Sequence, residues 1–350
     1  MEACQLRRIA PVFLALSLGG LGGALAFSLN LPLAWMIGAM LATTTAALLG
    51  APVRMGVGLR TTMVAVLGVM LGSSFEPAMI ERLGRWSLSL SALVVYTVVA
   101  GLAALWVLRR LARYDPVTAY FAAMPGGLSE MIMVGSALGG DERVISLSHA
   151  ARILIVVMII PFAFRFFYPA AATSASVGFG AVGSVTDMAI LAACGLVGFL
   201  AARAIRVPAA AVVGPMVLSG AVHLAGWTSA GPPAQLSAIA QVVVGSAVGC
   251  RFAGAELRMV AIAVRNALAA TAVLLAVTLV TAALVYALTG LPFASLVLAF
   301  SPGGLAEMSL IALALDIDPA FVATHHVVRI FLVVVLAPLA FRIWRRREPA

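Results

Sequence analysis

The chain has 350 residues, 63% of them hydrophobic and 10% charged, with a mean hydropathy of +1.12. Soluble domains carry about 25% charged residues, so this composition excludes one and leaves room for roughly ten to twelve helical passes of about 20 residues. The net charge of +9 comes from 22 arginines and no lysine, set in short clusters between apolar runs, a pattern that marks membrane topology rather than a nucleic-acid groove.

The first run follows Arg7-Arg8 and ends near Ala24-Leu25-Ala26, which is the outline of a signal peptide. A second copy argues against cleavage. Gly19, Gly22, Pro32, Gly38 and Met40 return 176 residues later as Gly195, Gly198, Pro208, Gly214 and Met216. From Gly72 and Phe75, which match Gly249 and Phe252, the offset is 177 and continues without a gap. Asp141, His149 and Arg152 match Asp318, His326 and Arg329, and Pro161, Phe164 and Arg165 match Pro338, Phe341 and Arg342. The chain is therefore one membrane unit written twice: repeat 1 over 1–168, a linker rich in Ala, Ser and Gly over 169–183, and repeat 2 over 184–350.

Apolar runs predict spans near 9–28, 31–50, 56–75, 86–108 and 144–168, then 184–204, 207–227, 234–252, 266–289 and 320–344. Each repeat also holds an apolar segment broken by Pro-Gly-Gly, near 117–138 and 293–315. If the broken segment crosses the membrane, each repeat has six passes and the repeats are parallel. If it enters and returns, each has five and the repeats are inverted. The inverted arrangement puts seventeen arginines on one side against three (Arg82, Arg85 and Arg165) on the other, and the parallel one gives twelve against eight. The positive-inside bias favours inversion, with both termini in the cytoplasm. The predicted fold is an all-α integral membrane protein of two inverted repeats, each with about five transmembrane helices and a broken, re-entrant segment.

The chemistry concentrates at the breaks. Pro125-Gly126-Gly127-Leu128-Ser129-Glu130-Met131 returns as Pro302-Gly303-Gly304-Leu305-Ala306-Glu307-Met308. Proline removes a backbone donor and two glycines free the chain, so each segment interrupts a helix at membrane depth. Such backbone survives only where protein or water satisfies its polar groups. A helix restarting after the glycines presents free N–H groups to anions and favours ionised Glu130 and Glu307. The alternative is a structural kink with glutamate as a capping partner.

His149 with Arg152, and His326 with Arg329, are three residues apart and share a helix face. Asp141 and Asp318 are predicted N-caps, with Pro319 at the first helical position. Counting from the caps places each guanidinium roughly 16 Å deep, at mid-membrane, where an arginine needs a partner. Glu130 and Glu307 are the expected partners. Such bridges could serve the fold alone, or all four side chains could line a cavity in which arginine holds an anion and histidine or glutamate exchanges protons. Differences between the copies (Ser129 and Ala306, Ser148 and His325, Gly139 and Asp316) would orient a substrate there. His223 reads as interfacial and His325 as a solvated or satisfied side chain.

Cys4, Cys194 and Cys250 have no metal or disulfide spacing, and there is no Walker loop or dinucleotide motif. No cofactor is expected. Gly19, Gly20, Gly22 and Gly23 allow close helix packing, within the chain or between copies in a homo-oligomer.

The duplicated Pro-Gly-Gly-Leu-x-Glu-Met segment, followed by His149-x-x-Arg152 or His326-x-x-Arg329 and the Pro161 and Pro338 regions, resembles the bacterial AbrB-type membrane protein family over nearly the whole chain. Members carry the labels putative ammonia monooxygenase and AbrB family transcriptional regulator. The resemblance implies a duplicated multi-pass protein of the bacterial inner membrane. The residues add an expectation of a non-enzymatic secondary transporter or exporter of a small metabolite or ion, with no direct nucleic-acid contact. The alternative is a membrane sensor acting on gene expression through a partner. A metal-dependent monooxygenase comes third. The site expected on either leading reading is Pro125, Gly126, Gly127, Glu130, His149 and Arg152 with Pro302, Gly303, Gly304, Glu307, His326 and Arg329.

Overall fold

The structure, a computed structural model, describes residues 2–76, 79–168 and 183–345. Among them no strand occurs, and the α-helices form two series of seven in the same order. The first is α1 (Glu2–Ser28), α2 (Ala34–Leu48), α3 (Val57–Gly72), α4 (Met79–Arg110), α5 (Pro116–Ala123), α6 (Leu128–Ala137) and α7 (Glu142–Phe167). The second is α8 (Val185–Ala204), α9 (Ala210–Leu224), α10 (Ala234–Gly249), α11 (Leu257–Thr289), α12 (Phe293–Phe300), α13 (Leu305–Ala314) and α14 (Pro319–Arg345). Among the described residues seven stretches are long and apolar enough to cross a membrane; they comprise α1, α4, α7, α8, α11, α14 and α10 with the turn that follows it. Residues 169–182 of the predicted linker lie outside the described residues.

Three predicted spans are corrected in length. The helices inside 31–50, 56–75 and 207–227 have 15, 16 and 15 residues. A 15-residue helix is about 22 Å long, short of a ~30 Å hydrocarbon core. The chain is bent at both ends of α2 and α9. Leu33 and Ala209, each directly before its helix, are left-handed at φ 46° and 53°, and Gly50 and Gly226 close the far ends at φ 83° and 73°.

The described chain forms two compact units, and each draws on both repeats. The first gathers Met1–Glu81, Val157–Leu257 and Ser309–Ala320. Its helices cross at glycines, in pairs. A Cβ on Gly38 of α2 would stand 2.1 Å from Gly22 O of α1, and one on Gly214 of α9 would stand 2.1 Å from Gly198 O of α8. Likewise a Cβ on Gly68 of α3 would meet Val212 O at 2.5 Å, and one on Gly245 of α10 would meet Met36 O at 2.4 Å. The second helix of each series thus packs on the third helix of the other. Gly19, Gly22 and Gly23 are filled by contacts inside this unit, and only Gly20 of that group faces open space.

The second unit, Arg82–Val156, Arg258–Met308 and Phe321–Ala350, contains every predicted site residue. In it the Tyr96 hydroxyl lies 3.0 Å from Thr278 Oγ1, while the Asn266 amide donates to Tyr114 OH at 3.2 Å. Tyr114 folds back on the end of α4, its N–H donating to Leu108 O at 3.1 Å, so the two contacts set the end of α4 beside the earlier part of α11 and its middle beside the later part, an antiparallel pair.

Gly38→Ala and Gly214→Ala should each destabilise the fold by about 1–3 kcal/mol, because the added carbon meets a backbone oxygen that cannot turn away. Gly20→Ala should leave stability unchanged or slightly raised. Thermal unfolding of the three variants in detergent checks both statements.

Candidate functional site

Each break begins where a residue precedes proline and is forced out of the helical region. Met124 sits at φ −57°, ψ 129° before Pro125, and Ser301 at φ −55°, ψ 139° before Pro302. The half-helices α5 and α12 end there, leaving carbonyls without a helical N–H donor. The two glycine pairs then solve the turn differently. Gly126 and Gly127 take φ +155° and +62°, a path closed to other residues. Gly303 and Gly304 have no positive φ; side chains from the next helix occupy their space, and a Cβ on Gly304 would lie 2.0 Å from Glu307 Oε2.

The stranded carbonyls are collected by the His/Arg pairs. Arg152 on α7 donates to Ala123 O at 3.4 Å and Met124 O at 3.0 Å, and Arg329 on α14 donates to Phe300 O at 3.4 Å and Ser301 O at 2.6 Å. Arg329 also donates to Gly303 O at 2.9 Å, past the break. One turn earlier on each helix, the histidine completes the clamp. His149 Nε2 is 3.0 Å from Phe121 O and its Nδ1 is 2.6 Å from Arg152 Nη2. His326 Nε2 is 2.9 Å from Leu298 O and its Nδ1 is 2.7 Å from Arg329 Nη2. A carbonyl only accepts and a guanidinium only donates, so the neutral tautomer protonated on Nε2 satisfies both contacts. In this arrangement each histidine orients an arginine, and both of its ring nitrogens are engaged.

This corrects the expected Glu–Arg pairing. The guanidinium groups are taken up by backbone carbonyls of the breaks. Among the described residues Glu130 and Glu307 accept no hydrogen bond and form no ion pair, although Glu307 is only 7% exposed. Both glutamates stand in the first turn of α6 or α13, where the helix dipole favours their charge. Arg152 and Arg329 lie within electrostatic range of each other and of Tyr96. Their Nε atoms are buried without a hydrogen-bond partner. Of the predicted N-caps, Asp141 accepts from Val144 N at 3.0 Å, and Pro319 is the first residue of α14.

Several participants escaped the sequence reading. Tyr96, fully buried in the middle of α4, carries a hydroxyl where interfacial tyrosine would be the norm; that position was the available signal. Tyr120 donates to Ala337 O at 2.8 Å. His325 is a buried, satisfied side chain, with Nδ1 2.8 Å from Phe321 O and Nε2 2.9 Å from Ser89 Oγ. Its counterpart Ser148 is buried with its hydroxyl unpaired. Asp316 and Gly139 occupy the left-handed turn after α13 and α6, at φ 52° and 92°, so that difference is a matter of turn chemistry. His223 is buried rather than interfacial, its ring nitrogens 2.7 Å from Ser219 O and 3.0 Å from Ala230 O. No group of three or more His, Cys, Asp or Glu residues gathers as a metal site among the described residues.

These features define an all-helical protein with membrane-length apolar helices and two helix breaks, each clamped by a buried His/Arg pair. The chain belongs to the family described as transition state regulatory protein AbrB, which it matches over residues 35–345. It is 27% identical to the uncharacterized protein YhjN of Bacillus subtilis (strain 168), over 95% of this chain and 92% of that one. It is 25% identical to the putative regulator AbrB of Escherichia coli (strain K12), over 98% of this chain and 97% of that one.

Arg329→Met should cost about 3–5 kcal/mol, since it strands carbonyls of the break with no water to replace the guanidinium. Arg329→Lys should recover little of it, because one ammonium cannot reach carbonyls spread over three residues. Glu130→Gln with Glu307→Gln should melt within about 0.5 kcal/mol of the unmodified protein. Thermal melts of detergent-purified variants distinguish these outcomes.

Proposed function

We propose that this protein is a secondary transporter or exporter of a small anionic or amphipathic metabolite, with its binding site at the paired breaks of the second unit. The observation that carries this reading is the duplicated clamp. Two buried arginines hold both breaks with no ion pair to a carboxylate among the described residues, and each keeps an unpaired Nε–H. Uncompensated buried charge is costly, and an anionic group of the substrate would offset it. The N-terminal N–H groups of α6 and α13 offer further donors to such a group. Glu130 and Glu307, free of protein partners among the described residues, are the coupling groups for protons or cations.

The repeats lie inverted in a bacterial inner membrane, with both termini cytoplasmic. The antiparallel run of α4 and α11 and the bias of arginines to one side support this orientation. No catalytic step or cofactor enters the reading. A second reading, a membrane sensor that alters gene expression through a partner, draws support from the regulatory names of the family and of the Escherichia coli relative.

Flux into proteoliposomes from a pooled metabolite mixture, read by mass spectrometry under imposed proton or sodium gradients, separates the two. Transport is expected to appear in the unmodified protein and to vanish in Glu130→Gln/Glu307→Gln. Full flux in that variant rules out the coupling role. Absence of flux, with a cytoplasmic partner recovered by cross-linking, favours the sensor.

A further inference from the structure

A groove of about 310 Å³ runs along the outside of the second unit between α4 and α14, floored by Tyr120 and Met124 of the first break. On α4 it follows one helical stripe through Val94, Val98, Gly101 and Leu105, and on α14 another through Leu332, Leu336 and Trp344. Val98 is 55% and Leu336 47% exposed, so the groove is open along its length to whatever surrounds the helices. In a membrane-spanning protein that is the lipid hydrocarbon.

Its dimensions are those of one leaflet. From Val94 to Leu105 and from Leu332 to Trp344 the helices rise roughly 17–18 Å. Half of a ~30 Å hydrocarbon core is about 15 Å. One end is marked as interfacial: Trp344 stacks on Tyr120 with ring centroids 6.0 Å apart, as amphipathic aromatics do at the headgroup boundary.

Beyond that end the charge is strongly positive. Arg109 continues the α4 stripe one turn past Leu105 and donates to Tyr114 O at 3.1 Å. The same turn holds Arg110 and Arg113, both exposed, and Tyr114 brings in Asn266 with its neighbour Arg265 on α11. The one carboxylate in that turn, Asp115, is engaged as the N-cap of α5, accepting from Thr118 N at 2.9 Å. An apolar slot one chain long that ends in four arginines fits a single kind of occupant.

We infer that this groove is a binding site for an anionic phospholipid of the surrounding bilayer, one acyl chain lying between α4 and α14 and the phosphate held by Arg109 and its neighbours. The chain covers Met124, whose carbonyl is clamped by Arg152, so the lipid braces the first break from outside. The second break has no such lipid. Tyr120 is replaced by Val297, and Arg109, Arg110 and Arg113 by Tyr286, Ala287 and Gly290. This site is independent of what the protein transports or senses.

Native mass spectrometry of the full chain, released from nanodiscs holding equal phosphatidylglycerol and phosphatidylcholine, tests the assignment. The unmodified protein is expected to retain phosphatidylglycerol in preference to phosphatidylcholine. Ala340→Trp, which fills the groove at an exposed lining position, is expected to lose that adduct, and Arg109→Ala/Arg110→Ala to lose the headgroup preference. Retention of both lipids equally by the unmodified protein, of a free fatty acid instead, or of no lipid, overturns the proposal. So does undiminished phosphatidylglycerol on a folded Ala340→Trp variant.

Discussion

The structure turns on one requirement: carbonyl groups set free by a broken helix inside a membrane must find donors, because lipid supplies none. Here the donors are arginines. Each guanidinium reaches the last carbonyls of its half-helix, α5 or α12, and lies at the negative end of that helix's dipole. The histidine one turn away fixes the guanidinium's rotation and takes one more carbonyl. Proline sets the break, glycine turns the chain, and the His/Arg pair makes the result tolerable in an apolar core. Remove any one of the three and the other two have no function at that place.

The two copies share this logic and differ in detail. The first break turns through positive φ at Gly126 and Gly127; the second does not, and Arg329 reaches a third carbonyl that Arg152 leaves alone. Tyr96 sits where repeat 2 has Val273, and His325 where repeat 1 has Ser148. The glycine crossings of the first unit, Gly22 with Gly38 and Gly198 with Gly214, by contrast, recur pair for pair, as do Gly68 and Gly245, as expected of contacts that serve packing alone.

Much of this was legible in the chain. Repeated Pro-Gly-Gly fixed the places of the breaks, and the spacing of His149 and Arg152 put both side chains on one face. The partners of the arginines were not legible. A sequence displays carboxylates but hides backbone carbonyls, so Glu130 and Glu307 looked like the counter-charges while the true acceptors were main-chain oxygens. Tyr96 and Thr278 meet across 182 residues, a contact without local signature. The short helices α2, α3 and α9 were overestimated because hydrophobicity continues through the turns that end them.

The proposed function rests on an inverted arrangement, in which the two copies of the broken-helix unit face opposite sides of the membrane. Ala112 and Thr289 are equivalent positions, 177 residues apart, each just ahead of its half-helix. With Cys4, Cys194 and Cys250 replaced, Ala112→Cys and Thr289→Cys can be labelled in intact cells with a membrane-impermeant thiol reagent. Inverted repeats predict that Thr289→Cys reacts from outside and that Ala112→Cys reacts only after the membrane is permeabilised. Reaction of both cysteines from the same side would contradict the account.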